Sequence, residues 1–598
     1  MSENEVTPIR RQYLNIKKEY PNTIVFFRLG DFYETFDNDA EITSRELDIV
    51  LTSRNVAKGI RIPMAGIPYH AVDNYLSRLI SKGYHVAIAE QLSEPDGRGI
   101  VDRDVVRVVT PGTVIEPNLL KKDQNNYLTC AIIHENKVGI AYVDITTGEF
   151  KATELISSEP LNELRSELLR LNPAEILLPE FLKIPNELPG HITQYPNWHF
   201  EPLRCEEKLK NHFKVSTLDA FGIKGLSLAL QASGAIIDYL SDTQPSALKI
   251  LNNISNYSTS TFMTLDAATR RNLELTETLR KNEVKGSLLH ILDFAVTVMG
   301  KRLLRQWVSQ PLLDISEINL RQESVGYLKD NGLLRAELFS QLKKINDLER
   351  LTSRVISEHA IPRDLVAIRS TLQNLPDLLQ ILSKIESSSL KKNIDKVHAC
   401  SEELRLLEFS IAEEPPATLN TTGVIRIGYS SELDQIIDAS QHARDWINQL
   451  ENIERERTGI KTLKVGYNKV FGYYIEITRA NSASAPAEYI RKQTLVNAER
   501  FITPELKEYE TLVLNAEDRI KDIEQRLFKQ ICEQLTTSSR SLLETSAGIA
   551  EIDVLSSFAE AASVGNYCQP ELQDSQILHI ADGRHPVVEK SLEGKRFV

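Results

Sequence analysis

The chain has 598 residues, 41% hydrophobic and 26% charged, with a net charge of −13. That length exceeds one hydrophobic core and predicts roughly four domains of globular composition. No apolar run is long enough to span a bilayer, no basic and apolar leader opens the chain, and the acidic balance disfavours a nucleic-acid ligand unless Lys and Arg are concentrated locally. Five cysteines, at 130, 205, 400, 532 and 568, make no CxxC or His/Cys metal spacing and read as buried free thiols of a cytoplasmic protein.

In chain order, Thr7-Pro8 reads as a helix start: a hydroxyl cap, then Pro at the first helical position, with Ile9, Tyr13, Ile16 and Tyr20 at helical spacing. A strand is predicted over 24–29. Phe32 and Glu34 follow, two residues apart and therefore on one face of a strand. A helix over Asp37 to Leu47 comes next. A second helix carries Val72, Tyr75, Leu76, Leu79 and Ile80 on one face and stops at Gly83, and a strand over 85–89 completes a mixed α/β domain.

A polar linker around 116–126 leads to strands over 127–133 and 138–143, a turn at Thr146-Thr147-Gly148 into a third strand, a helix over 161–171 and a strand over 175–178. That order suits an RNase H-like sheet. From about Leu226 long helical patterns take over. One helix runs from Ser430 to Arg457 with the stripe Leu433, Ile436, Ala443, Trp446, Leu450 and Ile453. Another starts at Thr503-Pro504-Glu505 with the stripe Leu512, Ala516, Ile520, Ile523, Leu527 and Ile531. Each spans roughly 40 Å. Between them, segments around 463–467, 472–477 and 488–494 read as strands, a small β domain carried on two long helices.

Longer strings narrow the reading. Phe26-Phe27-Arg28-Leu29-Gly30-Asp31-Phe32-Tyr33-Glu34, Leu47-Asp48-Ile49-Val50-Leu51-Thr52-Ser53-Arg54, Ile62-Pro63-Met64-Ala65-Gly66-Ile67-Pro68-Tyr69-His70 and Val106-Arg107-Val108-Val109-Thr110-Pro111-Gly112-Thr113 stand in one order. They closely resemble the mismatch-recognition domain of the MutS family of DNA mismatch repair proteins, whose Phe-x-Glu motif falls on Phe32 and Glu34. Leu265–Leu275 and Gly300–Trp307 resemble strings of the family's helical core.

The resemblance implies a multidomain α+β fold: a mixed α/β N-terminal domain, an RNase H-like connector, and a long helical core with levers and an inserted small β-rich clamp. Expected boundaries are 1–115 for mismatch recognition, 116–250 for the connector and 251–444 for the core and first lever. They continue with 445–504 for the clamp, 505–569 for the second lever and 570–598 for the start of an ATPase domain, which Gly583-Arg584-His585-Pro586-Val587-Val588-Glu589 resembles.

The implied function is binding of duplex DNA with mismatches or small loops. A phenyl ring pushed between base steps unstacks and kinks the duplex, at a cost of a few kcal/mol that is lower where pairing is already poor. Phe32 takes that role, and Glu34 hydrogen-bonds the displaced base. Arg54, Met64, Tyr69, His70 and Arg107 are supporting DNA contacts, with a core Met64 and a buried, hydrogen-bonded His70 as the plain alternatives. In the clamp, Lys464, Lys469, Arg479, Arg491, Lys492 and Arg500 stand among Tyr467, Tyr473, Tyr474 and Tyr489. Arg491, Lys492, Asn497 and Arg500 are the candidate backbone contacts, while Val496 stands where the family commonly has Lys.

Full-length relatives use ATP and Mg2+, act as homodimers and recruit a MutL-type partner. No GxxxxGK[ST] string occurs here, so no ATP hydrolysis is expected of this chain alone, and no cofactor is assigned to it beyond Phe597 as a remnant of the adenine site. Neither membrane nor metal is expected, and the location implied is a bacterial cytoplasm at the nucleoid. Two rivals stand: an RNase H-like nuclease using Asp144 with Glu149 and Glu175, and a helical scaffold without DNA affinity.

Overall fold

Backbone periodicity builds the first domain around one mixed sheet. The computed structural model describes residues 7–57, 60–92, 101–184, 188–263, 265–468 and 472–592, so Lys469 and Phe597 lie outside the described residues. The strands are β1 (Ile24–Leu29), β2 (Phe32–Phe36), β3 (Thr52–Ala57), β4 (Ile60–Pro68), β5 (Val86–Gln91) and β6 (Arg103–Val109), in the order β3-β4-β2-β1-β5-β6. Only β1 and β5 pair in parallel. Pro8 opens α1 (Pro8–Glu19) as expected, although the Thr7 side chain makes no capping bond. Tyr13 and Ile16 of α1 bury against Val25, Phe27 and Phe36 on one sheet face. Leu47 of α2 (Asp37–Leu47) and Leu76, Leu79 and Ile80 of α3 (Val72–Ile80) join Phe26, Tyr33 and Ile67 on the other.

The second sheet contains β7 (Leu128–His134), β8 (Lys137–Asp144), β9 (Glu149–Ile156), β10 (Glu175–Pro179), β11 (His191–Tyr195) and β12 (Ser255–Asn256), ordered β11-β10-β7-β8-β9-β12. The strand, strand, strand, helix, strand order is the expected one, and β12 carries the sheet past residue 250. One face packs Leu164, Leu168 and Leu171 of α4 (Pro160–Leu171), and the other packs Ala232, Ala235 and Ile236 of α6 (Ser227–Thr243), which follows α5 (Pro202–Phe213).

The polar linker before β7 is pinned rather than loose. Arg302 donates to the Lys122 carbonyl at 3.0 Å, and Arg350 donates to those of Lys121 at 2.9 Å and Gln124 at 2.6 Å. Both arginines come from core helices, Val298–Ser309 and Leu348–Ile356. The helix Ser539–Val564 is buried along most of its length. Its Asp553 accepts from the amides of Val296 at 3.1 Å and Thr297 at 2.8 Å, and burial pushes its carboxyl up to about 6. Gly300 meets this carboxylate inside a helix: a Cβ there would stand 2.2 Å from Asp553 Oδ2. Its glycine serves close packing and not a phosphate loop.

The first compact unit comprises residues 1–359, 374–399 and 539–598, and the second 360–373 with 400–538. In the second, the helices Ser431–Thr458 and Pro504–Thr537 carry the antiparallel sheet β13 (Lys464–Asn468), β14 (Gly472–Thr478), β15 (Ile490–Thr494) and β16 (Ala498–Ile502), ordered β13-β14-β16-β15. Ala443, Ile447 and Leu450 of the first helix and Leu506 and Val513 of the second bury with Ile475, Ile477 and Phe501 of the sheet. The Ser430 and Thr503 side chains cap the two helices. Four of the cysteines are buried as expected, but Cys568 is exposed. No helix among the described residues is long and apolar enough to cross a membrane.

Candidate nucleic-acid interface

The candidate wedge sits at a hairpin end. Leu29 pairs with Phe32, so the chain reverses in two residues, and Gly30 takes the left-handed φ of +58° that such a turn requires. The amide of Tyr69 donates to the Asp31 carbonyl at 2.9 Å and ties the turn to the end of β4. Phe32, Glu34 and Phe36 share one face of β2, as their spacing predicts, and burial deepens along it. Phe36 is 3% exposed with its ring 4.9 Å from that of Tyr13, Glu34 is half-buried, and Phe32 is 47% exposed. A core role for the Phe32 ring is thereby removed.

Glu34 is not a solvated acid either: its carboxylate is bound by the Arg54 guanidinium, which reaches it from β3. Two further arginines stand nearby that sequence reasoning did not select. Arg28 lies 3.8 Å over the Tyr69 ring, and Arg103 lies 5.2 Å over the Phe27 ring while donating to the Arg28 carbonyl at 2.6 Å. Burial, and then the charge of Arg54, lowers the pKa of Arg103. Burial, and then Glu90, pushes the Tyr33 phenol up. Arg28 was visible within the motif string; Arg103 carried no local signal, because only the β5–β6 register brings it here.

The supporting candidates divide. Tyr69 and His70 are exposed in a short turn at the end of β4, their rings edge to face at 5.7 Å, so the buried alternative for His70 is corrected. Met64 packs half-buried beside the Phe27 and Phe36 cluster, which is its plain alternative. Arg107 turns to Glu116 at 2.5 Å.

In the second unit, Arg491 and Lys492 on β15 are exposed, as is Asn497. Arg491 stands 3.4 Å from Glu499. Arg500 folds onto the sheet, donating to Glu476 at 2.9 Å and lying 4.1 Å over the Tyr474 ring. Lys464 and Arg479 are exposed, and Val496 is 84% exposed. From Lys461 to Ile502 there are seven Lys and Arg against three Glu, so this sheet is basic inside an acidic chain.

The metal-nuclease rival loses its ligands. Asp144 is fully buried and spends both oxygens, accepting from Asn125 at 3.0 Å and the Asn126 amide at 3.1 Å, and from the Thr146 amide at 2.8 Å and hydroxyl at 2.7 Å. Glu149 accepts from the Tyr127 hydroxyl at 2.9 Å and pairs with Lys151 at 2.8 Å. Glu175 is held in a separate buried network with Thr193 and Tyr239.

Three successive segments match the three N-terminal domains of one class of multidomain protein: MutS domain I over residues 7–118, MutS domain II over 126–255 and MutS domain III over 268–559. The chain is 46% identical over 595 residues to the DNA mismatch repair protein MutS of Dehalococcoides mccartyi strain CBDB1, covering 99% of this chain and 69% of that one. It is 45% identical over 605 residues to the MutS of Alkaliphilus oremlandii, with 99% and 69% covered, and 43% identical over 607 residues to that of Symbiobacterium thermophilum, with 100% and 69% covered. The chain belongs to the MutS family.

Proposed function

We propose that the chain recognises mispaired or looped duplex DNA in mismatch repair, with Phe32 as the wedge and Glu34 as the acceptor for the displaced base. The observation that carries this reading is a half-exposed phenyl ring at a hairpin end, on the same strand face as a carboxylate held by arginine. A ring in that position has an apolar face left to stack. Arg54 neutralises Glu34 until a base edge takes its place, so the acid contributes to selectivity without repelling the backbone. Arg54, Arg28 and Arg103 supply cations beside the wedge. Arg491, Lys492 and Asn497 on the basic sheet hold phosphates, which carry affinity but not sequence information. Homodimerisation and a MutL-type partner are part of the same proposal, as are the domain boundaries given above, with the second sheet carried on to Asn256 by β12.

The test compares a G·T duplex with its matched homoduplex by fluorescence anisotropy over a salt series. Wild type should prefer the mismatch. Phe32→Ala should lose about 1–3 kcal/mol of that preference, the usual worth of one base stacked on an aromatic ring, and keep salt-sensitive non-specific binding. An unchanged preference in Phe32→Ala removes the wedge. Glu34→Ala should act in the opposite direction on homoduplex, raising its affinity because Arg54, freed of its carboxylate, can meet a phosphate, while mismatch binding falls. If homoduplex and mismatch affinities drop together, the discriminating role of Glu34 is wrong.

A further inference from the structure

A cavity of about 1180 Å³ lies in the first compact unit, between α4 of the second sheet domain and the core segments around Arg270 and Arg305. Six arginines line it, Arg165, Arg170, Arg270, Arg271, Arg302 and Arg305, against a single carboxylate, Glu277. Three of them are committed elsewhere: Arg170 to Glu167, Arg302 to Asp347 and Glu349, and Arg165 to a partner of its own. Among the described residues Arg270 donates only to the Ser309 carbonyl, at 2.8 Å, and its Nε is buried without an acceptor. Arg305 reaches Glu277 at 3.3 Å through Nη1, while its Nε and Nη2 are likewise buried without an acceptor among the described residues. The exposed Arg271 side chain has no hydrogen bond or ion pair among the described residues.

Buried guanidinium donors are ordinarily paired, because leaving a charged donor unmet is costly. Here several are gathered on one cavity with almost no negative charge to meet them. Burial, and then the neighbouring charge of Arg170, pushes Arg270 down to about 10 against the opposing pull of Glu167. A guanidinium presents planar paired donors that fit phosphate oxygens. The excess of cations calls for more than one negative charge.

We propose that this cavity binds a small, multiply charged phosphoanion through Arg270, Arg271 and Arg305, separately from the duplex. The same phosphate chemistry is offered by a free phosphoanion and by a DNA backbone, and the experiment distinguishes them. Inorganic pyrophosphate is titrated calorimetrically into the 598-residue chain. One saturable site is expected, weakened about tenfold or more in the Arg270→Gln/Arg305→Gln double variant as charge-assisted bonds are lost. Glu277→Gln should bind more tightly, because it removes the only carboxylate of the lining. Should circular dichroism show the double variant unfolded, the exposed Arg271→Gln carries the test and should weaken binding severalfold. Saturating homoduplex DNA should leave pyrophosphate affinity unchanged. A cavity that holds only water gives no saturable heat. That outcome, equal affinity in all variants, or competition by DNA overturns the proposal.

Discussion

Glu175→Ala is expected to lower unfolding stability by about 2–6 kcal/mol and to loosen the wedge domain from the sheet behind it. Glu175 is fully buried at the start of β10. Its Oε2 accepts from the Gly112 amide at 2.8 Å and from the Thr110 hydroxyl, and its Oε1 accepts from the Thr193 hydroxyl at 2.7 Å and the Tyr239 hydroxyl at 2.6 Å. His85 Nε2 stands 3.4 Å from the same carboxylate. Burial, and then this carboxylate, pushes the Tyr239 phenol up. Gly112 and Thr110 belong to the segment matching domain I, while Glu175, Thr193 and Tyr239 belong to that matching domain II. Truncation strands at least the Gly112 amide and the Tyr239 hydroxyl, at about 1–3 kcal/mol each. Urea unfolding measures the loss, and Glu175→Gln, which keeps one oxygen, should recover part of it. An unchanged midpoint in Glu175→Ala would mean that the joint carries no energy. The result would also give a physical role to Thr110-Pro111-Gly112-Thr113, a motif string that makes a joint here.

Removing Arg302 should cost about 3 kcal/mol, toward the low end for a broken buried pair because its partners keep some contact with water. Its side chain is 3% exposed and forks onto Asp347 with two bonds of 2.7 Å, with Glu349 at 2.5 Å and the Lys122 carbonyl at 3.0 Å. Burial lowers its pKa, but Glu349 and Asp347 outweigh that and raise it. Burial already raises the Glu349 carboxyl even with Arg302 beside it. In Arg302→Ala that shift grows. The folded variant then holds protons that the unfolded chain has released, so its stability falls as pH rises through and above the ordinary carboxylate range. The deficit against wild type should therefore be larger in mildly alkaline buffer than in mildly acidic buffer. Chemical denaturation across that range tests the sign; a pH-independent deficit would show that lost packing dominates.

The long helices show where periodicity in one chain stops being informative. An apolar stripe drawn from sequence includes Ile453 and Leu512, yet these are 44% and 52% exposed. The buried positions are Leu433, Ser440, Ala443, Ile447, Leu450 and Glu454, at alternating separations of three, four and seven residues. That repeat is closer to 3.5 than to 3.6 residues, and it follows what packs against the helix, the second long helix and the sheet the two carry. The packing partners set the seam, and it admits Glu454 because the Tyr489 hydroxyl, from the inserted β domain, meets that acid at 2.7 Å.

What the amino-acid order determined alone was local. Two-residue alternation put Phe32 and Glu34 on one face, glycine at position 30 allowed the tight turn, and the strings around them carried the family. The backbone's own geometry sets each of these within a few residues. The tertiary structure decided which charges meet. Arg54 reaches Glu34 from twenty residues away through the β3–β4–β2 register, Arg302 reaches Asp347 across 45 residues and Glu175 reaches Gly112 across 63. Ion pairs and buried hydrogen bonds act over a few ångströms of space whatever the separation along the chain, so only the packed fold selects them.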